Sequence, residues 1–180
     1  TAPVWTLIAG GGASVVYSDA IVAAGGADAL ANYGEYSGAP SRLQTKTYAH
    51  HVIHTMLASS TARFLLIGGG IANFTDVTAT FQGIMDVLED HADALRAAAI
   101  TILVRRGGPN YQQALRSMEA LGRRLQLRMS VYGPDVPMCG IVHQAFGTTT
   151  AATTSNDDTG GGATGTSVYP RFPRVPTDTP

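Results

Sequence analysis

Short apolar runs alternate along the chain with stretches of helical spacing. "VWTLIAG" (Val4–Gly10) is β-rich and ends in glycines; "ASVVYSDAIVAAGG" after it has apolar residues spaced for a helix, with Gly25 and Gly26 as the stop. "LANYGEYSGAPS" (30–41) breaks the rhythm and holds at most a short strand. "PSRLQTKTYAHHVIHTMLAS" (40–59) reads as a helix with Pro40 near its first turn. "RFLLIGGG" (63–70) is a buried strand, and "FTDVTATFQGIMDVLEDHADALRAAA" (74–99) a helix capped by Thr75 or Asp76. A strand and turn, "AITILVRRGGPN" (99–110), precede an amphipathic helix, "NYQQALRSMEALGRRL" (110–125). "LRMSVYGPD" (127–135) is the last strand and "VPMCGIVHQAFG" (136–147) the last helix.

This β-α-β-α-β-α-β-α order, with strands apolar on both faces, predicts an α/β fold. The expected form is a flavodoxin-like, doubly wound and mostly parallel sheet, with helices on both faces. Strand order is not readable from the pattern. From Gly147 the composition changes: "GTTTAATTSNDDTGGGATGTSVYPRFPRVPTDTP" is nearly free of large aliphatics. Such a stretch buries too little apolar surface to offset its ordering entropy. The expected division is a folded domain over 1–147 and a disordered linker or tail over 148–180.

The chain has 180 residues, 44% of them hydrophobic, which suits one core of ordinary size. A formal net charge of -1 gives no general attraction to nucleic acid or anionic lipid, so any anion site has to be local. A single cysteine, Cys139, precludes an internal disulfide and fits a reducing, cytoplasmic setting. No run is long enough to span a bilayer as a helix, and "TAPVWTLIAGGG" lacks the layout of a signal peptide. It reads as direct entry into a strand, as expected of a piece of a longer protein.

Three loops, "IAGGGAS", "IGGGIANFTD" and "VRRGGPN", each follow a buried strand and precede a helix. In an open α/β sheet these strand ends share one edge, where ligands bind beside helix N-termini that suit anions. Loose connectors would explain one such loop well and three less well. Neither glycine triple is a nucleotide signature: "GGGIANFTD" lacks the Gly-Lys-Ser/Thr ending of a P-loop, and "GGGASVVYSD" lacks spaced dinucleotide-loop glycines.

In combination, "GGGASVVYSD", "NYGEYSGAPS", "IGGGIANFTDV" and "VRRGGPNYQ" closely resemble the ATP-citrate lyase family over about residues 2–147. The part matched is the citrate-binding domain, itself similar to the C-terminal domain of the succinyl-CoA synthetase β subunit. The resemblance implies a domain of a cytosolic enzyme that makes acetyl-CoA and oxaloacetate from citrate and CoA, using ATP and Mg. The family works through a phosphohistidine, citryl-phosphate and citryl-CoA. It implies citrate contacts from Asn73, Thr75, the backbone of Gly38 and the positive charge of Arg106. His91 stands where the family usually has a tyrosine contact; donation to a carboxylate and a solvated helix end both remain open for it. The implied partners are citrate and the ATP-grasp, CoA/phosphohistidine and citrate synthase-like parts, in an oligomeric enzyme. ATP, Mg and CoA belong to those other parts and none is expected on this domain, so the isolated chain is expected to bind a tricarboxylate without catalysing.

Bland readings stand beside these. Asn73 could be a turn residue, Thr75 a helix cap, and both arginines sheet-edge caps; the resemblance outweighs that for Arg106 and not for Arg105. "HHVIH" (His50, His51, His54) has the spacing of a zinc-protease helix without its glutamate, so no metal site is expected. His143 reads as structural, Cys139 as a small core residue, Glu35 as an exposed loop acid and Trp5 as packing. The rival readings are a β-subunit-type domain of another acyl-CoA synthetase, and a non-enzymatic flavodoxin-like module binding flavin mononucleotide.

Overall fold

In the computed structural model, residues 2–147 are described. The expected 148–180 tail lies outside them. Four parallel strands, β1 (Val4–Ala9), β2 (Phe64–Gly69), β3 (Thr101–Arg105) and β4 (Arg128–Tyr132), form one sheet in the order β1-β2-β3-β4. The described helices are α1 (Gly11–Gly25), α2 (Arg42–Leu57), α3 (Val77–Asp90), α4 (Ala92–Ala97), α5 (Tyr111–Arg124) and α6 (Met138–Phe146).

Alternate strand residues feed two cores, as the two-residue period of a strand dictates. Trp5, Leu7, Leu65, Ile67, Ile102 and Val104 face α2, α3 and α5. Val4, Ile8, Leu66 and Leu103 face the other way, onto Tyr17 and Ile21 of α1 and Ile141 and Val142 of α6. Helices cover both faces, as the doubly wound pattern predicted. None of the described helices is long and apolar enough to cross a membrane.

The irregular segment after α1 completes the topology. Leu30 and Tyr36 form parallel bridges to Val4 and Ala9 of β1. Ala31 N–H donates to Val4 O (2.9 Å) and Tyr36 N–H to Ile8 O (3.0 Å). Between them the Asn32 side chain replaces the backbone ladder: its Oδ1 accepts from Thr6 N–H (2.8 Å) and its Nδ2 donates to Thr6 O (2.9 Å). Counting this edge segment as the second strand in sequence gives the flavodoxin-like order 2-1-3-4-5. The switch point then falls between β1 and β2, where ligands of such sheets bind.

Two helix boundaries depart from the sequence pattern. The single helix expected over 74–99 is broken at His91, which has φ -115 and ψ 14 and flanks both α3 and α4. The turn still buries Leu95 and lets Arg96 donate to Leu125 O (2.7 Å), so tertiary contacts decide the break. The α2 start is set by a capping box between Ser41 and Gln44, one residue beyond Pro40.

Candidate functional site

The glycine loops meet where the topology predicts. A cavity of about 260 Å³ opens at the β1/β2 switch point. Gly10 and Ala13 at the start of α1 line it, with Tyr36, Ser37, Gly38 and Pro40 from the edge segment, Gly70–Ala72, Phe74 and Thr75 from the loop after β2, and Arg106.

Each glycine triple has a physical reason. Gly10 has φ +94, a left-handed backbone that turns the chain from β1 into α1. In the second triple the need is for close approach. A Cβ on Gly68 would lie 2.6 Å from the Tyr17 ring, and one on Gly69 would lie 2.2 Å from Arg106 Nη1. The second triple therefore accommodates a tyrosine on one side of the sheet and an arginine on the other.

The adjacent arginines emerge in different directions. Arg105 is buried and each of its three guanidinium nitrogens donates to a carbonyl: Nε to Val136 O (2.9 Å), Nη1 to Gly69 O (2.8 Å) and Nη2 to Pro134 O (3.0 Å). It ties the end of β2 to the loop between β4 and α6 and is structural. Arg106 is 4% exposed and lines the cavity. Its Nη1 donates to Gly70 O (2.7 Å), its Nε is buried without an acceptor, and it has no carboxylate partner among the described residues. Burial holds its guanidinium below its usual pKa, with Tyr36 and Tyr17 acting in the opposite sense. A buried cation without a counter-ion is costly, and an anion in the cavity is the natural compensation.

Three of the five residues implied by the resemblance, Gly38, Thr75 and Arg106, line the cavity. Asn73 lies on the same loop between two lining residues and is exposed. His91 does not join them. It sits at the opposite end of α3, a helix of 14 residues and so roughly 20 Å long. There its Nδ1 lies 3.0 Å from Val87 O and its ring 5.3 Å from that of His50. Among the described residues no group of three or more His, Cys, Asp or Glu could hold a metal ion. Tyr36 is a lining residue that the sequence reading did not single out, whereas Gly10 and Gly70 belong to the glycine loops it placed at this edge. The strand-end position of Tyr36, ahead of "SGAP", was the available signal for it.

The cap of α3 is Asp76, whose Oδ1 accepts from Thr78 N–H (2.8 Å), leaving Thr75 to the cavity. Asp76→Ala is therefore expected to cost about 1 kcal/mol of stability. Thr75→Ala should melt close to wild type, contrary to the cap role open to it in the sequence. Paired melting curves check this.

A family model described as ATP citrate lyase citrate-binding matches residues 1–148. The human ATP-citrate synthase is 49% identical over 146 residues, covering 80% of this chain and 13% of the human one. The probable ATP-citrate synthase subunit 2 of Schizosaccharomyces pombe is 50% identical over 147 residues, covering 80% and 30%. Among solved structures, ATP citrate lyase from Methanothrix soehngenii in complex with citrate and coenzyme A superposes with a TM-score of 0.79 at 48% identity. That match covers 82% of this chain and 36% of the archaeal one. The chain thus spans about a third or less of the length of these relatives.

Proposed function

Because the chain belongs to the ATP citrate lyase citrate-binding family, we propose that the switch-point cavity holds citrate and that Arg106 is its principal charged contact. The observation that carries this is the guanidinium of Arg106, buried in the cavity wall with no carboxylate partner among the described residues. A guanidinium offers a planar fork that matches a carboxylate. Asn73 and Thr75 supply side-chain groups able to meet a carboxylate or a hydroxyl, and Gly38 brings backbone close. The net charge of -1 means that these local groups, not the field of the whole chain, attract the trianion.

In the full enzyme the domain holds citrate so that one carboxylate is positioned to attack a phosphoryl group, giving citryl-phosphate. ATP, Mg and CoA are used by other parts, the ATP-grasp, CoA/phosphohistidine and citrate synthase-like ones. The overall conversion is of citrate, CoA and ATP to acetyl-CoA, oxaloacetate, ADP and phosphate, in the cytosol. The cavity's size suits a small acid better than flavin mononucleotide. Calorimetric titration of the chain with citrate, succinate and flavin mononucleotide tests the assignment. Citrate is expected to bind most tightly; tighter succinate binding would favour the acyl-CoA synthetase reading, and flavin binding the third.

Gly69→Ala offers a test from the backbone side. Its Cβ would drive Arg106 Nη1 from its place and also press on Ala9, whose carbonyl would lie at 3.0 Å. Citrate affinity is expected to fall about tenfold or more, through displacement of a charge-assisted bond. Titration beside a melting curve separates that loss from misfolding.

A further inference from the structure

Three helices begin at the switch-point cavity, and two of them are closed by their own residues. α2 starts on the capping box of Ser41 and Gln44, one residue after the lining Pro40. α3 starts on Asp76, one residue after the lining Thr75. α1 has no such device. Its N-cap is Gly10, no side chain caps it, and its first turn holds no acidic residue. The Gly10 N–H donates to Tyr36 O (2.9 Å), and Ser14 turns its hydroxyl to Gly11 O (2.8 Å). The N–H groups of Gly11, Gly12 and Ala13, which a helix has no internal acceptor for, are thus left uncapped. Gly10 and Ala13 place that turn in the cavity wall.

Two independent observations point to a ligand at this turn. Arg106, 4% exposed and with its Nε unpartnered, lines the same cavity. A Cβ on Gly69 would press on both Arg106 Nη1 and Ala9, so the guanidinium lies beside the residue that leads into Gly10. The other observation is that Gly11 and Gly12 answer no need of the fold. Neither has a positive φ, and a Cβ on either would meet nothing within 4 Å. Glycine in a helix costs stability relative to alanine. A helical Cβ leans toward the N-terminus, so leaving it out opens these N–H groups to an approaching oxygen. Resting on the citrate reading of this cavity, we propose that the first turn of α1 is a second carboxylate site: the N–H groups of Gly11, Gly12 and Ala13 donate to one carboxylate of citrate while Arg106 holds another. A helix N-terminus combines free donors with partial positive charge, which suits a carboxylate. Arginine alone would accept any monocarboxylate. The pair of donor sets selects an acid with at least two carboxylates, and it does so without a second buried cation.

The test follows amide and Arg106 Nε–H resonances during citrate titration of isotope-labelled wild type, Arg106→Ala, Gly12→Asp and Ala23→Asp, with a melting curve for each. In wild type the Gly11, Gly12 and Ala13 N–H resonances should move downfield along the same saturation curve as the Arg106 Nε–H. In Arg106→Ala, titrated to saturation, the α1 resonances should still move. Gly12→Asp sets a carboxylate of its own at the turn, where its Cβ has open space. It is expected to melt at or above wild type, because an acid in the first turn of a helix is favourable. Its citrate affinity should fall about tenfold, as loss of a hydrogen bond to a charged group would give. Ala23→Asp makes the same charge change at the exposed far end of α1 and should stay within about twofold of wild type. A shift at Arg106 with Gly11–Ala13 unmoved, wild-type affinity in Gly12→Asp, an equal loss in Ala23→Asp, or an α1 response that vanishes in saturated Arg106→Ala would each overturn the proposal while leaving citrate on Arg106. No saturable shift at Arg106 in wild type would instead overturn the citrate reading, and this inference with it.

Discussion

Arg106→Ala is expected to bind citrate about 10- to 150-fold more weakly than wild type, the loss of one charge-assisted bond of about 1.5–3 kcal/mol. Stability should barely change. The variant gives up a single bond, to Gly70 O, while also removing a buried cation that has no carboxylate partner among the described residues. These two effects oppose each other, since an uncompensated buried charge is itself destabilising. Arg106→Lys should recover only part of the affinity, because an ammonium cannot reproduce the planar fork. Titration with a melting curve for each variant checks both halves.

Arg105→Ala should show the opposite profile. Its guanidinium is the shared donor for Gly69, Pro134 and Val136 carbonyls, and the side chain is buried. Truncation leaves three acceptors seeking partners and a void between β2, β4 and α6. Each buried unpaired group costs about 1–3 kcal/mol, and water entering the void would satisfy some of them, so a net loss of roughly 3–5 kcal/mol is expected. The sequence reading left Arg105 as a sheet-edge cap. The structure adds that its main effect is on folding. Denaturant unfolding reads this directly: a midpoint close to wild type would mean that the three bonds contribute little. Any fall in citrate affinity should track the unfolded fraction.

The strands and helices that position the site were legible because burial on both faces writes near-continuous apolar runs, and half-buried helices write a 3.6-residue spacing. The edge segment was not, since Asn32 replaces a stretch of ladder with its side-chain amide, a substitution that leaves no apolar alternation. The break at His91 was hidden because apolar spacing runs on through Leu95, which is buried either way. Asp76 and Thr75 are adjacent residues of cap-forming type, so only geometry separates cap from cavity wall.

At the site, periodicity placed three glycine loops on one edge, while choosing Arg106 over Arg105 needed the family resemblance. The structure supplies a physical basis for that choice: one guanidinium is filled with carbonyls and the other is left with an unpaired Nε at the cavity. The resemblance also carried over His91, which the fold puts at the far end of α3. Tyr36 was overlooked because a lone tyrosine in a glycine-rich segment carries no pattern of its own.

Amide and arginine side-chain NMR shifts during citrate titration test the central claim most directly. The expected result is saturable perturbation at Gly10, Tyr36–Gly38, Gly70–Thr75 and the Arg106 Nε–H, with the 89–96 stretch at the far end of α3 unmoved. Perturbations centred on 89–96, or saturable binding that leaves Arg106 and the Gly70–Thr75 loop unchanged, would contradict the account.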